Sequence, residues 1–152
     1  MKLAEALTHR ADCQRKLAQL KDRMIRNAKV QEGEQPAEDP FELLGSYQGK
    51  VEEFEQLVMR INRTNSDTAF DEQLSLADAL TRRDALALQR DVLFELAKAA
   101  TVTQDRHRAS EIVFRGAVSV RETQQQADQL AKAYRELDLE IQQLNWTTEL
   151  LD

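Results

Sequence analysis

Residues 120–144 read VRETQQQADQLAKAYRELDLEIQQL, and their apolar positions recur with steps of three and four. The eight positions in this stripe are Val120, Thr123, Ala127, Leu130, Tyr134, Leu137, Ile141 and Leu144. Because only Thr123 among them is polar, the stripe is a nearly complete heptad seam and predicts a long helix that packs along one face. Ser119 and Glu122 have the spacing of a capping box, which predicts that this helix begins after Ser119.

Three earlier segments carry apolar residues at helical spacing. The first runs through Leu3, Ala6, Arg10, Cys13, Leu17, Leu20, Met24 and Asn27, and the second through Leu44, Tyr47, Val51, Phe54, Val58 and Ile61. The third, over about residues 76–102, has Leu80, Leu88, Val92 and Leu96 on one side and Leu86, Leu93, Ala97 and Ala100 on another. Because apolar surface on two sides of a helix needs two partners, we expect the third helix to be covered twice.

The segments between the helices have their own signals. Asp39 followed by Pro40 predicts an N-cap with proline at the first helical position. Residues 31–40 hold both prolines of the chain and predict a loop, and residues 65–74 predict a second one. The helical period disappears over residues 104–119, where Ile, Val and Phe surround Gly116, so we expect a short extended or hairpin segment near 105–118.

These elements predict an all-α fold, a long antiparallel up-and-down bundle of four main helices that forms one domain over residues 1–152. A helix of about 25 residues is roughly 40 Å long at 1.5 Å per residue. Short connections make neighbouring helices antiparallel. Heptad seams this regular can also be completed by helices of another subunit, so we expect a homo-oligomer of coiled-coil type.

Composition places the chain among soluble cytoplasmic proteins. It has 152 residues, with 41% hydrophobic and 32% charged residues. The longest apolar run, residues 85–88, is far shorter than the roughly 20 residues that cross a bilayer, so we expect no membrane partner. Cys13 is the only cysteine and cannot form an intramolecular disulfide, in agreement with a reducing compartment.

The charges are unevenly distributed along the chain. Residues 1–30 hold 8 Lys/Arg against 3 Asp/Glu, whereas residues 31–74 hold 3 against 11. Opposite charges on consecutive segments favour packing of the first helix on the second. A nucleic-acid-binding helix would need a continuous basic face with stacking aromatic residues, so we expect no nucleic-acid partner.

Several short motifs resemble a known family. They are residues 27–34 (NAKVQEGE), Pro36 with residues 38–40 (EDP), residues 61–65 (INRTN), residues 135–138 (RELD) and residues 145–150 (NWTTEL). Together they look like a bacterial family of uncharacterised helical proteins, some members of which carry the label septicolysin. The resemblance spans nearly the whole chain and implies a helical fold with an unknown role. That label suggests a cytolysin, but the sequence has no apolar hairpin or amphipathic strand pair long enough to span a bilayer.

Polar residues suitable for ligand binding are predicted at one end of the bundle. The candidate ligand-binding residues are Asn62, Asn65, Arg82, Asp84, Asn145 and Trp146, and Glu5, Thr64, Arg83 and Thr148 are expected at the same end. Amides beside an aromatic ring and an Arg/Asp pair could form a small-molecule pocket. They could equally cap helix ends and fill an interface, and Arg83 with Asp84 could be a surface or interfacial ion pair.

The sequence offers little for catalysis or metal binding. His9 and Cys13 lie one turn apart, but zinc needs three or four ligands and no second cluster of His and Cys exists. Cys13 falls on the seam of the first helix, where it is expected to be a small buried side chain. We therefore predict no catalytic residue, no metal site and no cofactor.

The function that fits these observations is a non-enzymatic, oligomeric helical-bundle protein with an interaction or structural role. The alternative is a small-molecule-binding or catalytic bundle that uses the polar residues at one helix end.

Overall fold

The computed structural model describes residues 1–102 and 112–152, which form an all-α bundle of four helices. The helices are α1 (Leu3–Arg26), α2 (Pro40–Asp67), α3 (Leu76–Ala100) and α4 (Val120–Thr147). The predicted fold class is therefore confirmed, although α2 continues through residues 65–67, which were expected to be a loop. No strand occurs in the described ranges, where two isolated β-bridges join Lys2 to Glu149 and Ala69 to Ser75.

The predicted extended or hairpin segment is only partly within the described structure. Residues 112–118 form no strand, and the remainder of the prediction, over residues 105–111, lies outside the described residues. Gly116 passes close to the end of α3, because a Cβ atom placed on it would lie 2.8 Å from the carbonyl oxygen of Ala100. A close backbone approach therefore explains the glycine at this position.

Two of the helix starts are capped as predicted. The carboxylate of Asp39 accepts a hydrogen bond of 2.8 Å from the amide of Phe41, and Pro40 occupies the first turn of α2. The hydroxyl of Ser119 accepts a hydrogen bond of 3.2 Å from the amide of Glu122 at the start of α4. These bonds satisfy amides that have no partner within the helix, which fixes where each helix begins.

The described residues divide into two compact units. Unit 1 comprises residues 1–75 and 143–152, and unit 2 comprises residues 76–142. Whether the two units fold as one domain, as the length of the chain suggests, stays a prediction. No helix in the described ranges is long and apolar enough to span a bilayer.

In unit 1, α1 and α2 pack antiparallel. Cys13 contacts Glu53 in the middle of the pair, and Arg23 near the end of α1 binds Glu38 just before α2. The predicted seam of α1 is confirmed: all eight of its positions are buried or half-buried, and Leu3 and Ala6 are completely buried.

The predicted seam of α2 is wrong at Leu44 and Val51, whereas its other four positions, Tyr47, Phe54, Val58 and Ile61, are buried or half-buried as predicted. Leu44 and Val51 are 36% and 37% exposed, whereas Leu43 is buried and Lys50 is only partly exposed. Lys50 can occupy a seam position because its aliphatic stem packs while its ammonium group binds Glu53. The apolar pattern alone predicted Val51 at this seam position, but the structure places the side chain of Lys50 there.

In unit 2, α3 and α4 also run antiparallel. Arg83 binds Asp138 at 2.9 Å. About two turns further along α3, the guanidinium of Arg90 lies 4.9 Å from the ring centre of Tyr134. All eight predicted seam positions of α4 are buried or half-buried, so that prediction is confirmed. The facing seam of α3 has the same heptad spacing and consists of Leu76, Ala79, Arg83, Leu86, Arg90, Leu93, Ala97 and Ala100.

Candidate interaction surface

Away from this seam, α3 carries a second apolar row that the chain leaves exposed. The row consists of Ala85, Leu88, Val92, Leu96 and Ala99, and we call it the α3 stripe. Leu88 is 74% exposed, Val92 60% and Leu96 43%. The steps of three and four residues place all five on one side of the helix. The sequence predicted α3 to be covered on two sides; in the structure of one chain Leu80 on the second side is half-buried, whereas Leu88, Val92 and Leu96 are exposed.

A groove of about 640 Å³ runs beside the α3 stripe, between α3 and α4. Its lining residues are Gln89, Val92, Leu93, Gln126, Gln129 and Leu130. None of these six side chains is charged, and three of them are apolar. Depletion of charge around an apolar centre is typical of the core of a protein interface.

An ion pair of Arg83 joins α3 to α4. Arg83 binds both Asp138 and its neighbour Asp84, at 2.9 and 3.3 Å. Partial burial disfavours the charge of Arg83, but its hydrogen bonds to the two carboxylates outweigh that effect and raise its pKa. The predicted Arg83–Asp84 pair is therefore present, and its arginine also binds α4.

The predicted ligand-binding residues belong to two different units. Asn62, Asn65, Asn145 and Trp146 are in unit 1, and Arg82 and Asp84 are in unit 2. Arg82 and Asp84 are exposed on the first turns of α3. The binding site predicted from these six residues is neither assembled nor excluded by the geometry of either unit, so it stays a prediction.

The four members in unit 1 differ in their surroundings. Asn62 is exposed on α2 and Asn65 is half-buried one turn later. Asn145 near the end of α4 is only 5% exposed, whereas the adjacent Trp146 is 65% exposed. The indole of Trp146 is therefore not buried by unit 1.

Other polar residues expected at this end make hydrogen bonds within the chain. The hydroxyl of Thr64, which is completely buried, donates to the carbonyl of Arg60 at 2.8 Å and accepts from the amide of Leu151 at 3.0 Å. Glu5 accepts a bond of 2.7 Å from the amide of Lys2, as in a helix cap. In these contacts, Thr64 and Glu5 act as capping and packing residues, which is the second of the two roles that the sequence left open for the polar residues at this end.

The segment after α4 is also held against the start of α1 by backbone hydrogen bonds. The amide of Leu3 donates to the carbonyl of Thr148 at 2.9 Å, and the amide of Leu150 donates to the carbonyl of Met1 at the same distance. Leu150 is buried as a result, with 8% exposure. The sequence contained no signal for this docking, because it pairs residues almost 150 positions apart.

Cys13 is buried as predicted and has an acidic neighbour. Its thiol donates a weak hydrogen bond of 3.5 Å to the carboxylate of Glu53. Burial raises the pKa of the Cys13 thiol, and the adjacent Glu53 raises it further. Both effects favour the unreactive thiol over the thiolate.

A second apolar groove, which the sequence analysis missed, lies at the other end of unit 1. It measures about 310 Å³ and is lined by Met24, Ile25, Ala28, Pro40, Phe41 and Leu44. Phe41 is 82% exposed. The sequence signal that could have revealed this groove is the position of Phe41, which directly follows Pro40 and belongs to no heptad seam. In the described parts of the chain, no group of three or more His, Cys, Asp and Glu side chains could hold a metal ion.

Comparison with known proteins identifies relatives without an assigned activity. None of the curated proteins matches the chain. A solved structure, described as that of a functionally unknown conserved protein from Corynebacterium diphtheriae, is 48% identical, covers 99% of both chains and superimposes with a TM-score of 0.93. A model of a family of unknown function (DUF6847) matches residues 10–150. The resemblance to an uncharacterised bacterial helical family is thus confirmed, and this chain belongs to the family of unknown function DUF6847.

Proposed function

We propose that this protein is a non-enzymatic, cytoplasmic assembly protein whose subunits associate through the α3 stripe. One observation carries the proposal: Leu88, Val92 and Leu96 are exposed in helical register on a helix whose other face already packs on α4. Exposed apolar rows of this kind mark sites of protein association. A second helix packed on the α3 stripe would complete a coiled-coil interface.

The α3 stripe is long enough for a coiled-coil contact. With 25 residues, α3 is about 37 Å long. The uncharged groove beside the α3 stripe extends this surface towards α4.

The cytoplasmic location is supported by Cys13, which is a free thiol in the described structure. The proposal includes no lytic role. Turnover of a substrate by the purified chain in a general activity screen would contradict the non-enzymatic part.

The alternative function, binding of a small molecule by Asn62, Asn65, Asn145 and Trp146, is favoured by the 65% exposure of Trp146. Trp146 is the only tryptophan of the chain, so its fluorescence reports directly on that end. A metabolite that shifts this fluorescence in wild type, but not in an Asn145→Ala variant that remains folded, would favour the alternative.

The test of self-association compares variants of matched chemistry by sedimentation velocity. The double variant Leu88→Ser/Val92→Ser removes the centre of the α3 stripe, and the control Phe41→Ser/Leu139→Ser removes two apolar side chains that are 82% and 61% exposed elsewhere. Wild type and the control are expected to sediment as oligomers, and the stripe variant as a 17.4 kDa monomer with unchanged helical circular dichroism. An oligomeric stripe variant, or a control that dissociates as readily, would contradict the proposed surface.

A further inference from the structure

We propose that residues 148–152, which we call the strap, close a binding site for an extended acidic peptide in unit 1. The proposal is independent of self-association through the α3 stripe. The strap lies against the start of α1 and the last third of α2. Its backbone pairing, its buried leucine and its charges are features by which proteins bind extended peptides.

The strap pairs with the start of α1 as one strand pairs with another. The two segments form an antiparallel bridge. The amide of Leu3 donates to the carbonyl of Thr148, and the amide of Leu150 donates to the carbonyl of Met1, each at 2.9 Å. Because these bonds join backbone groups, they require an extended segment but no particular side chain. A peptide from another molecule can form the same pair of bonds.

A leucine and the amide that follows it determine the position of the strap in the site. Leu150 is 8% exposed, whereas the next residue, Leu151, is 39% exposed. The amide of Leu151 donates at 3.0 Å to the hydroxyl of Thr64, which is completely buried. The site therefore takes one apolar side chain, and the buried hydroxyl fixes the register of the segment that carries it.

The charges on the two sides of this contact are complementary. Glu149 binds the ammonium group of Lys2 at 2.6 Å. The carboxylate of Asp152 binds Arg60 at 3.0 Å, and its backbone carbonyl accepts a hydrogen bond from Arg63. Two acidic side chains of a five-residue segment thus contact three basic ones. Complementary charges of this kind select a partner by the sign of its charge.

The acidic side chains nearby do not cancel the positive charge of the site. Glu5 on α1 accepts a bond of 2.7 Å from the backbone amide of Lys2. Asp67 on α2 lies one turn beyond Arg63, on the side away from Arg60. Three cations therefore outnumber two anions. The start of α1, where the helix dipole favours negative charge, adds to the preference for an acidic peptide.

The strap can open while the helices remain folded. Its ion pairs lie at the surface, where the side chains of Glu149 and Arg60 are 64% and 34% exposed, and such pairs stabilise little. Within the strap, only Leu150 is buried. A contact of this kind opens locally at a lower cost than unfolding of the whole chain. Opening removes the strap from the amide of Leu3 and the hydroxyl of Thr64, and a peptide of the same chemistry can replace it there.

Binding of a labelled peptide to a chain with an opened strap tests the proposal. The probe is a fluorescein-labelled peptide with the sequence of residues 147–152, TTELLD. The opened variant is Glu149→Lys/Leu150→Asp, which reverses one charge of the strap and removes its apolar anchor. Fluorescence anisotropy should show that this variant, with unchanged helical circular dichroism, binds the probe about tenfold more tightly than wild type, because the wild-type strap occupies the site.

Two controls distinguish this site from general attraction between opposite charges. The peptide TTKLLK, in which lysine replaces both acidic residues, should bind the opened variant about tenfold more weakly than TTELLD. Within the opened variant, Arg60→Gln/Arg63→Gln should weaken binding of TTELLD, whereas the matched change Lys16→Gln/Lys21→Gln at exposed positions of α1 should not. Equal binding of both peptides, equal effects of both double changes, or no gain of affinity in the folded opened variant would overturn the proposal.

Hydrogen exchange of the wild-type chain decides the matter if the opened variant does not fold. After correction for intrinsic rates, the amide of Leu150 should exchange faster than that of Ile61, which is completely buried on α2, because the strap opens without the helices. An excess of unlabelled TTELLD should accelerate exchange at Leu150 further and leave Ile61 unchanged. If the two amides exchange at the same rate, or if the peptide has no effect at Leu150, the strap is a fixed part of the fold and the proposal is wrong.

Discussion

Thr64 provides the most direct test of whether the polar residues at the helix ends serve packing. Its hydroxyl is completely buried and joins α2 to the segment after α4, since it accepts the amide of Leu151 at 3.0 Å and donates to the carbonyl of Arg60 at 2.8 Å. Thr64→Val preserves the shape of the side chain and removes both bonds.

The expected loss is about 1–2 kcal/mol in the free energy of unfolding. A buried donor that loses its partner costs about 1–3 kcal/mol. The lower part of that range applies, because Leu151 is 39% exposed and its amide can reach water when the segment detaches. In a domain of about 150 residues this corresponds to a decrease in melting temperature of roughly 2–8 °C.

Urea denaturation followed by circular dichroism measures the loss, and Thr8→Val is the matched control. Thr8 makes the same type of bond to the carbonyl four residues earlier, at 3.1 Å, but on an exposed surface of α1 and without a second partner. The control should stay within about 0.5 kcal/mol of wild type. Hydrogen exchange of the Leu151 amide should accelerate only in Thr64→Val. Equal stabilities of the two variants, with slow exchange at Leu151 in both, would refute the packing role of Thr64.

Three further predictions concern other parts of the structure. Arg23 hydrogen-bonds to Glu38 and lowers the pKa of its carboxyl group. The pair therefore stabilises the α1–α2 connection above the ordinary pKa of a glutamate, and this stabilisation is lost as the pH falls through the lowered pKa. Glu38→Gln should flatten the acid side of the stability–pH curve. Cys13 should react with a thiol reagent only at the rate of unfolding, because it is 4% exposed and burial raises its pKa. Gly116→Ala should destabilise the chain by about 1–3 kcal/mol in thermal unfolding, since the added methyl group would lie 2.8 Å from the carbonyl oxygen of Ala100.

Each of these predictions has a result that would contradict it. For the acid dependence, it is an unchanged stability–pH curve in Glu38→Gln. For the thiol, it is labelling that is complete within seconds under native conditions. For the glycine, it is a melting temperature of Gly116→Ala equal to or above that of wild type.

The fold could be predicted largely because heptad spacing and caps are local signals. The seams of α1 and α4 and the caps at Asp39 and Ser119 all follow from residues within one or two turns of each other. The seam of α2 was assigned wrongly at Val51 because Val51 is adjacent to Lys50 in sequence. Hydrophobicity cannot show that a lysine stem will pack when a carboxylate is available for its ammonium group.

The candidate surfaces were harder to predict because they depend on what the chain leaves uncovered. The two apolar sides of α3 are visible in the sequence, but which side faces α4 is decided by Arg83 and Arg90, whose partners lie more than 40 residues away. Docking of Leu151 on Thr64 likewise joins residues 87 positions apart. Neither contact has a local pattern, so only the tertiary structure reveals them.

The molar mass of the wild-type chain in solution, measured by light scattering across a concentration series from one to one hundred micromolar, tests the central claim most directly. Association through the α3 stripe predicts a mass that rises to at least twice the 17.4 kDa of a single chain. A mass that stays at 17.4 kDa over the whole series would contradict it.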